Sequence, residues 1–168
     1  WRKINIKNKS MRFIKVFIFF FLFNLPVGAQ IFPVPEDKEV SFDVIRKNKV
    51  IGNLTTKFIE EGEDLKLHSI LKIEVKILFF PAYNFFQETM ETWRKGDFIA
   101  INGFTDFEDD REYKIEGKDV NGIFKANGMD GALELNKNII PLNYWNKKML
   151  KEEEVFDTQK GIVRKITV

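Results

Sequence analysis

One histidine, His68, two serines beyond residue 30, Ser41 and Ser69, and no cysteine limit the nucleophiles and metal ligands that this chain offers. Ser69 and His68 are sequence neighbours, but in an extended run adjacent side chains point to opposite faces, so they cannot act as nucleophile and base there. Without cysteine, thiol catalysis, disulfides, thiolate metal sites and a lipidated N-terminal Cys are excluded. A single His cannot assemble the nitrogen and sulfur ligands of a zinc site, and neither a metal nor a cofactor is expected. Carboxylates remain as candidate acids and bases. Glu88 and Glu91 fall on opposite faces of one strand, which argues against a cooperating pair. Asp106, Glu108, Asp109 and Asp110 form a denser acidic group that could hold Ca²⁺ through oxygens. They lack the glycine and closing glutamate of a calcium loop, so a solvated hairpin turn is the plainer reading. Gly117, Gly122, Gly128 and Gly131 sit at expected turns and form no phosphate cradle. Lys147-Lys148 and Glu152-Glu153-Glu154 read as solvent-facing charge runs. No catalytic residue is assigned.

The elements that must position these groups are strands. From Leu65 to Ile77, odd positions are Leu65, Leu67, Ser69, Leu71, Ile73, Val75 and Ile77, while even positions carry Lys66, His68, Lys72, Glu74 and Lys76 around Ile70. A helix would segregate these types less well, so period two wins, and His68 falls on the charged face as a solvated strand histidine. Further strands are expected at Val40 to Arg46, Val50 to Glu60, Phe85 to Trp93, Phe98 to Phe107, Glu112 to Lys118, Gly122 to Asn127, Ala132 to Leu135, Val155 to Gln159 and Ile162 to Val168. Lys47-Asn48, Glu61-Gly62, Lys95-Gly96, Asn121-Gly122, Asp130-Gly131 and Lys160-Gly161 each supply a residue that tolerates positive φ, as tight hairpins require. Strands joined so closely must be antiparallel. The predicted fold is mainly all-β, a curved antiparallel meander sheet or partly open β-barrel with one short covering helix. That helix is expected to open at Asn143-Tyr144-Trp145-Asn146 behind Pro141 and to end near Lys151, with Leu142, Trp145, Met149 and Leu150 on one side.

Aromatic content is the unusual feature. Twelve of the 18 Phe lie beyond residue 29, and many cluster near Tyr83, Trp93 and Phe98. One reading is a packed core. The other is a concave face, incompletely filled, that accepts an apolar small molecule or lipid. On that reading the ligand-binding residues are Leu67, Leu71, Ile73, Tyr83, Phe86, Trp93 and Trp145, with the Trp145 helix as a lid. Phe79-Phe80-Pro81-Ala82 interrupts the alternation, and Pro81 cannot sit in a regular central ladder, so a bulge or loop is expected at the mouth of the sheet.

Residues 1–29 carry six of the 27 Lys and Arg and none of the 25 acids. Met11-Arg-Phe-Ile-Lys, the apolar run Val16 to Phe23 and Val27-Gly28-Ala29 have the layout of a secretory signal peptide cleaved after Ala29. The alternative is an uncleaved anchor, but the run is too short to span a core of ~30 Å at ~1.5 Å per residue. Trp1 to Ser10 precede the first initiator and read as upstream sequence. The expected domains are therefore 1–29, upstream residues plus signal peptide, and 30–168, a single β-rich domain expected to be truncated at its C-terminus. Residues 30–168 hold 21 basic and 25 acidic side chains, a net −4 in place of +2, so the basic pI gives no argument for nucleic acid or anionic lipid. No nucleic-acid partner and no stable membrane span after cleavage are expected. The expected location is periplasmic or secreted.

Tyr83, Glu91-Thr92-Trp93-Arg94-Lys95-Gly96, Pro141-Leu142-Asn143-Tyr144-Trp145-Asn146 and Asp157-Thr158-Gln159-Lys160-Gly161, together with the strand start Val50-Ile51-Gly52, resemble an uncharacterised bacterial family, domain of unknown function 6134. Its exported β-rich members are similar to another uncharacterised envelope family, number 3108. The resemblance covers most of Ser41 to Val168 and implies no activity and no catalytic residues; the family usually continues with further strands beyond the position of Val168. Physically, the matched glycines provide turn geometry, Pro141 fixes the helix start and Trp145 is an apolar anchor. The expected function is a nonenzymatic envelope domain that binds an apolar ligand or lipid. The alternatives are a scaffold or protein-interaction module with a solid core, its partner unknown, and, lower, a carboxylate-based hydrolase using Glu88, Glu91 and Asp106.

Overall fold

The alternation of Leu65 to Ile77 is realised as one 14-residue strand, Asp64–Ile77, with Leu67 and Leu71 buried and Lys72, Glu74 and Lys76 exposed. The computed structural model describes residues 34–77, 80–108 and 111–167, all within Phe32–Val168, the second of two units into which the chain divides by its contacts. The readings made for the leader, Phe79, Asp109, Asp110 and Val168 lie outside the described residues.

Eight strands form one antiparallel sheet in chain order: β1 Glu39–Arg46, β2 Lys49–Glu61, β3 Asp64–Ile77, β4 Phe80–Arg94, β5 Asp97–Asp106, β6 Glu112–Val120, β7 Ile123–Gly128 and β8 Gly131–Asn136. The meander is open, because β1 and β8 do not pair. Three of its hairpins have two-residue turns in which both residues have positive φ: Lys47 and Asn48, Lys95 and Gly96, Asn121 and Gly122. Such turns match the twist of the strands they join. At Pro81 the ladder slips, with Lys76 opposite Pro81 and Val75 opposite Tyr83, so the expected irregularity is a bulge inside the β3–β4 pair. Twist accumulated over eight strands curls the sheet and gives it an inner face.

Register identifies that face. One row of paired residues crosses the sheet as Phe58, Leu67, Glu91, Ile101, Gly117, Ala126 and Leu133. Most of it is core, packed with Trp93, Phe98, Ile115 and Phe124. Gly117 leaves room for Phe124, whose ring would lie 2.8 Å from an added Cβ. The strands shorten from 15 residues in β4 to six in β7 and β8, so the long hairpins carry their inner face past the core. Phe42, paired with Leu54, is exposed there, and Ile45 and Val50 are exposed at the tip of the first hairpin.

The chain after β8 covers this face. Residues 140–142 run beside β9, Glu154–Asp157, through Leu142 N to Phe156 O at 2.8 Å and Phe156 N to Ile140 O at 2.9 Å. Strand β10, Ile162–Lys165, pairs antiparallel with β9, so the last strand is shorter than expected and has a partner. Phe156 is fully buried against Phe98 and Phe124, which are stacked at 4.8 Å. The turn after β9 docks on the β7–β8 turn: Met129 N donates to Lys160 O at 2.7 Å, and a Cβ on Gly128 would meet Gly161 O at 2.4 Å.

The covering helix differs from expectation. It is a single 3-10 turn, Lys147–Lys151, with no buried residue. Asn143 Oδ1 accepts from Asn146 N at 3.1 Å and Asn146 Oδ1 from Lys148 N at 3.0 Å. Asn146 is extended (φ −99, ψ 103) and is the cap of the 3-10 turn; its side chain takes the Lys148 N–H that a helix opened at Asn143 would have bonded to Tyr144 O, so the helical turn starts after Asn146. Trp145 precedes the helical turn and packs edge-on against Phe58 and Trp93, with ring centroids 5.9 and 5.3 Å away.

Candidate ligand pocket beside Glu91

Beneath the cover the inner face changes character. The row next to the apolar one is Thr56, Ser69, Thr89 and Gly103, and the next is Leu54, Leu71, Gln87 and Thr105. Period two in β2, β3 and β4 thus lays a strip of short polar side chains across a buried surface. The Thr56 and Ser69 hydroxyls bond to each other at 2.8 Å. Gln87 Nε2 reaches across to the cover and donates to Thr158 O at 2.9 Å and Thr158 Oγ1 at 3.3 Å.

Glu91 is the centre of the arrangement. It lies between Leu67 and Ile101 in the apolar row and is only 2% exposed. Its Oε2 accepts from Trp93 Nε1 at 2.9 Å and from Asn143 Nδ2 at 3.2 Å, and Oε1 has a longer contact with the same amide at 3.4 Å. Burial pushes its carboxyl up from 4.5 to about 7, outweighing the two N–H donors, which act the other way. No ion pair among the described residues involves it.

Above the polar strip, the sheet and the cover flank a partly open cavity of about 240 Å³. Phe42, Leu54, Leu71, Leu142 and Trp145 supply apolar walls, while Thr56, Ser69, Gln87, Thr89, Glu91, Asn143 and Thr158 supply polar ones. Tyr144, Asp157, Gln159 and Arg164 stand at the cover side. Asp157 is buried, pairs with Arg164 and accepts from Gln159 N at 2.8 Å, which closes the turn after β9. Two of the three Trp of the chain, Trp93 and Trp145, lie at this site.

Of the residues expected to bind a ligand, Leu71 and Trp145 line this cavity, and Trp93 lies directly behind it, bonded to Glu91. Leu67 is fully buried in the core. Ile73 lines a wide open groove at the far end of the long hairpins. Tyr83 is on the inner face further along β4, half-buried. Phe86 alternates to the outer face, where Lys72 lies 5.9 Å from its ring centroid. Glu91 and Ser69, candidate acid and nucleophile in the sequence, belong to the polar wall, whereas Thr56, Gln87 and Thr89 carry no signal of a site. The available signal was Glu91 standing two residues before Trp93, a spacing that puts both on one face.

Glu88, Glu91 and Asp106 are not brought together. Glu88 is on the outer face, 2.6 Å from His68, and Asp106 accepts from Glu108 N at 2.7 Å in the turn after β5. The Glu108 carboxylate in turn accepts from the backbone N–H and the side-chain amide of Asn84. Among the described residues no group of three or more His, Cys, Asp or Glu could hold a metal ion, and no helix is long and apolar enough to cross a membrane.

No curated protein and no solved structure matches the chain. A family model, Domain of unknown function (DUF6134), matches residues 42–168, a span that takes in every residue lining the pocket. The chain belongs to the DUF6134 family.

Proposed function

We propose that the protein is an exported envelope binding module that holds a small ligand with an apolar body in the cavity between the inner face and its C-terminal cover. The observation that carries this reading is the cavity itself: about 240 Å³ with apolar walls and a polar floor in one site. That volume is near the lower end of ligand pockets, ~300–1,000 Å³, and suits a compact molecule or one end of an acyl chain better than a whole lipid. The segments around Glu91, Asn143 and Asp157 that carry the family resemblance all converge on it. Native mass spectrometry with envelope extract, read beside Trp fluorescence, is the test. An adduct with a shifted emission from Trp93 and Trp145 is expected, and no adduct with unchanged emission refutes the reading. Export is tested by N-terminal sequencing of the expressed protein, which should begin at Gln30.

A second reading, a protein-interaction module, rests on the exposed apolar tip of the first hairpin, where Ile45 and Val50 are paired and 64% and 61% exposed. It predicts that a protein captured from periplasmic extract is lost when both are changed to Ser.

A further inference from the structure

The pocket's polar wall contains one buried acid whose partners are all neutral. Trp93 Nε1 and Asn143 Nδ2 both donate to Glu91, an arrangement that suits a carboxylate and offers no acceptor to a carboxylic acid. Among the described residues no cation is paired with Glu91. Arg164, the cation that lines the same pocket, is joined to Asp157. The remaining titratable group on the lining is Tyr144. Leu67 and Ile101, on either side of Glu91 in the sheet, carry no charge.

A buried carboxylate left without a cation is costly, and a ligand that brings the positive charge recovers that cost on binding. The other walls favour the same class of ligand. Trp145 and Tyr144 present aromatic surface on which an ammonium group is held by the ring quadrupole, and Phe42, Leu54 and Leu71 accept a short hydrocarbon body. We propose that this pocket takes a small organic cation, an ammonium group on a short apolar body, with Glu91 as its counter-ion. The inference rests on the binding reading above and specifies the ligand class. The ammonium group has two sources, a free amine or an amine-bearing lipid headgroup.

The test uses the full chain and a chain-matched set of probes, hexylamine, 1-hexanol and hexanoate, by calorimetric titration, with phosphatidylethanolamine vesicles as a separate arm. Hexylamine should bind and the other two should bind weakly or not at all. Affinity for hexylamine should rise roughly tenfold per pH unit through the range in which Glu91 ionises, because only the carboxylate pairs with the ammonium ion. Glu91→Gln should weaken hexylamine by about thirtyfold or more, as expected when one member of a buried charge pair is removed, and flatten the pH dependence. The pH series on the unaltered protein stands even if the variant folds poorly. Vesicle binding assigns the headgroup source; hexylamine binding without it assigns a free amine. Tighter binding of hexanol or hexanoate than of hexylamine overturns the cation assignment and leaves the pocket reading standing. Failure of all four probes, with no adduct from extract, overturns both.

Discussion

Glu91 ties the stability of the domain to pH in a direction opposite to that of most carboxylates. Its ordinary value of 4.5 is pushed to about 7 by burial, so between those limits the folded state keeps a proton that the unfolded chain has released. Stability is therefore greatest below about 4.5, falls as pH climbs through the interval, and levels off above about 7. The displacement corresponds to on the order of 3 kcal/mol between the two plateaus. Glu91→Gln preserves an oxygen acceptor for Trp93 and Asn143 and cannot ionise, so its stability should lack this slope. Urea unfolding at pH 5 and pH 8, with the variant's curve subtracted from that of the unaltered protein, isolates the contribution from every other titrating group. The variant should be the more stable of the two at pH 8 by about 3 kcal/mol, a rise in Tm of ~10 °C, and the two should converge towards pH 5. Parallel curves across the interval would refute the argument, because they would mean that Glu91 is hydrated or counter-charged in the folded state.

Gly128→Ala should destabilise the domain by more than ~2 kcal/mol in urea and raise amide exchange in β9 and β10, since the added methyl meets the Gly161 backbone, which cannot swing aside. Gly117→Ala should cost less, because the atoms it meets are the edge of the Phe124 ring; equal losses in the two variants would contradict the distinction. Trp93→Ala should cost about 3–5 kcal/mol in the same assay, because a nearly fully buried indole is removed. Arg94→Ala, at the Asp64 pair 2.6 Å long, should leave urea unfolding close to that of the unaltered protein, because the guanidinium is half-exposed and the pair is screened by water; a loss as large as that of Trp93→Ala would contradict this.

The meander was legible because each of its causes is local. Alternation in Leu65 to Ile77 needs only period two, and the hairpins at Lys47-Asn48 and Asn121-Gly122 need only residues that accept positive φ. The bulge followed from the ladder donor that Pro81 lacks. Glu91 was harder. Parity within β4 separates it from Glu88 but does not say which face is covered; that depends on the register that sets Glu91 opposite Leu67 and on a cover more than 50 residues away. Phe86 shows the converse. Its aromatic character suggested the inner face, but parity with Glu88 places it outside beside Phe104. The stretch 143–146 read as helix by its apolar spacing, but Asn146 is extended and caps the turn that follows by taking the Lys148 N–H, so helical structure begins only at Lys147.

Stability alone is a poor reason for the composition of the pocket. A carboxylate between Leu67 and Ile101 is disfavoured by burial, and the strip Thr56, Ser69, Thr89 interrupts a surface that an apolar core would fill at lower cost. Both features lie under a part of the cover that leaves a cavity between itself and the sheet. Further along the same face, Phe156, Phe98 and Phe124 close the core with rings 4.8 to 6.5 Å apart. The same C-terminal segment therefore builds a dry core at β9 and a polar-floored cavity at Asn143 to Trp145. The polar contacts between them, Gln87 with Thr158 and Glu91 with Asn143, tie that segment to the sheet from both sides of the cavity. A ligand that altered either contact would act on the attachment of the cover itself, which makes the 143–146 turn and the turn after β9 the places where occupancy should first alter amide exchange.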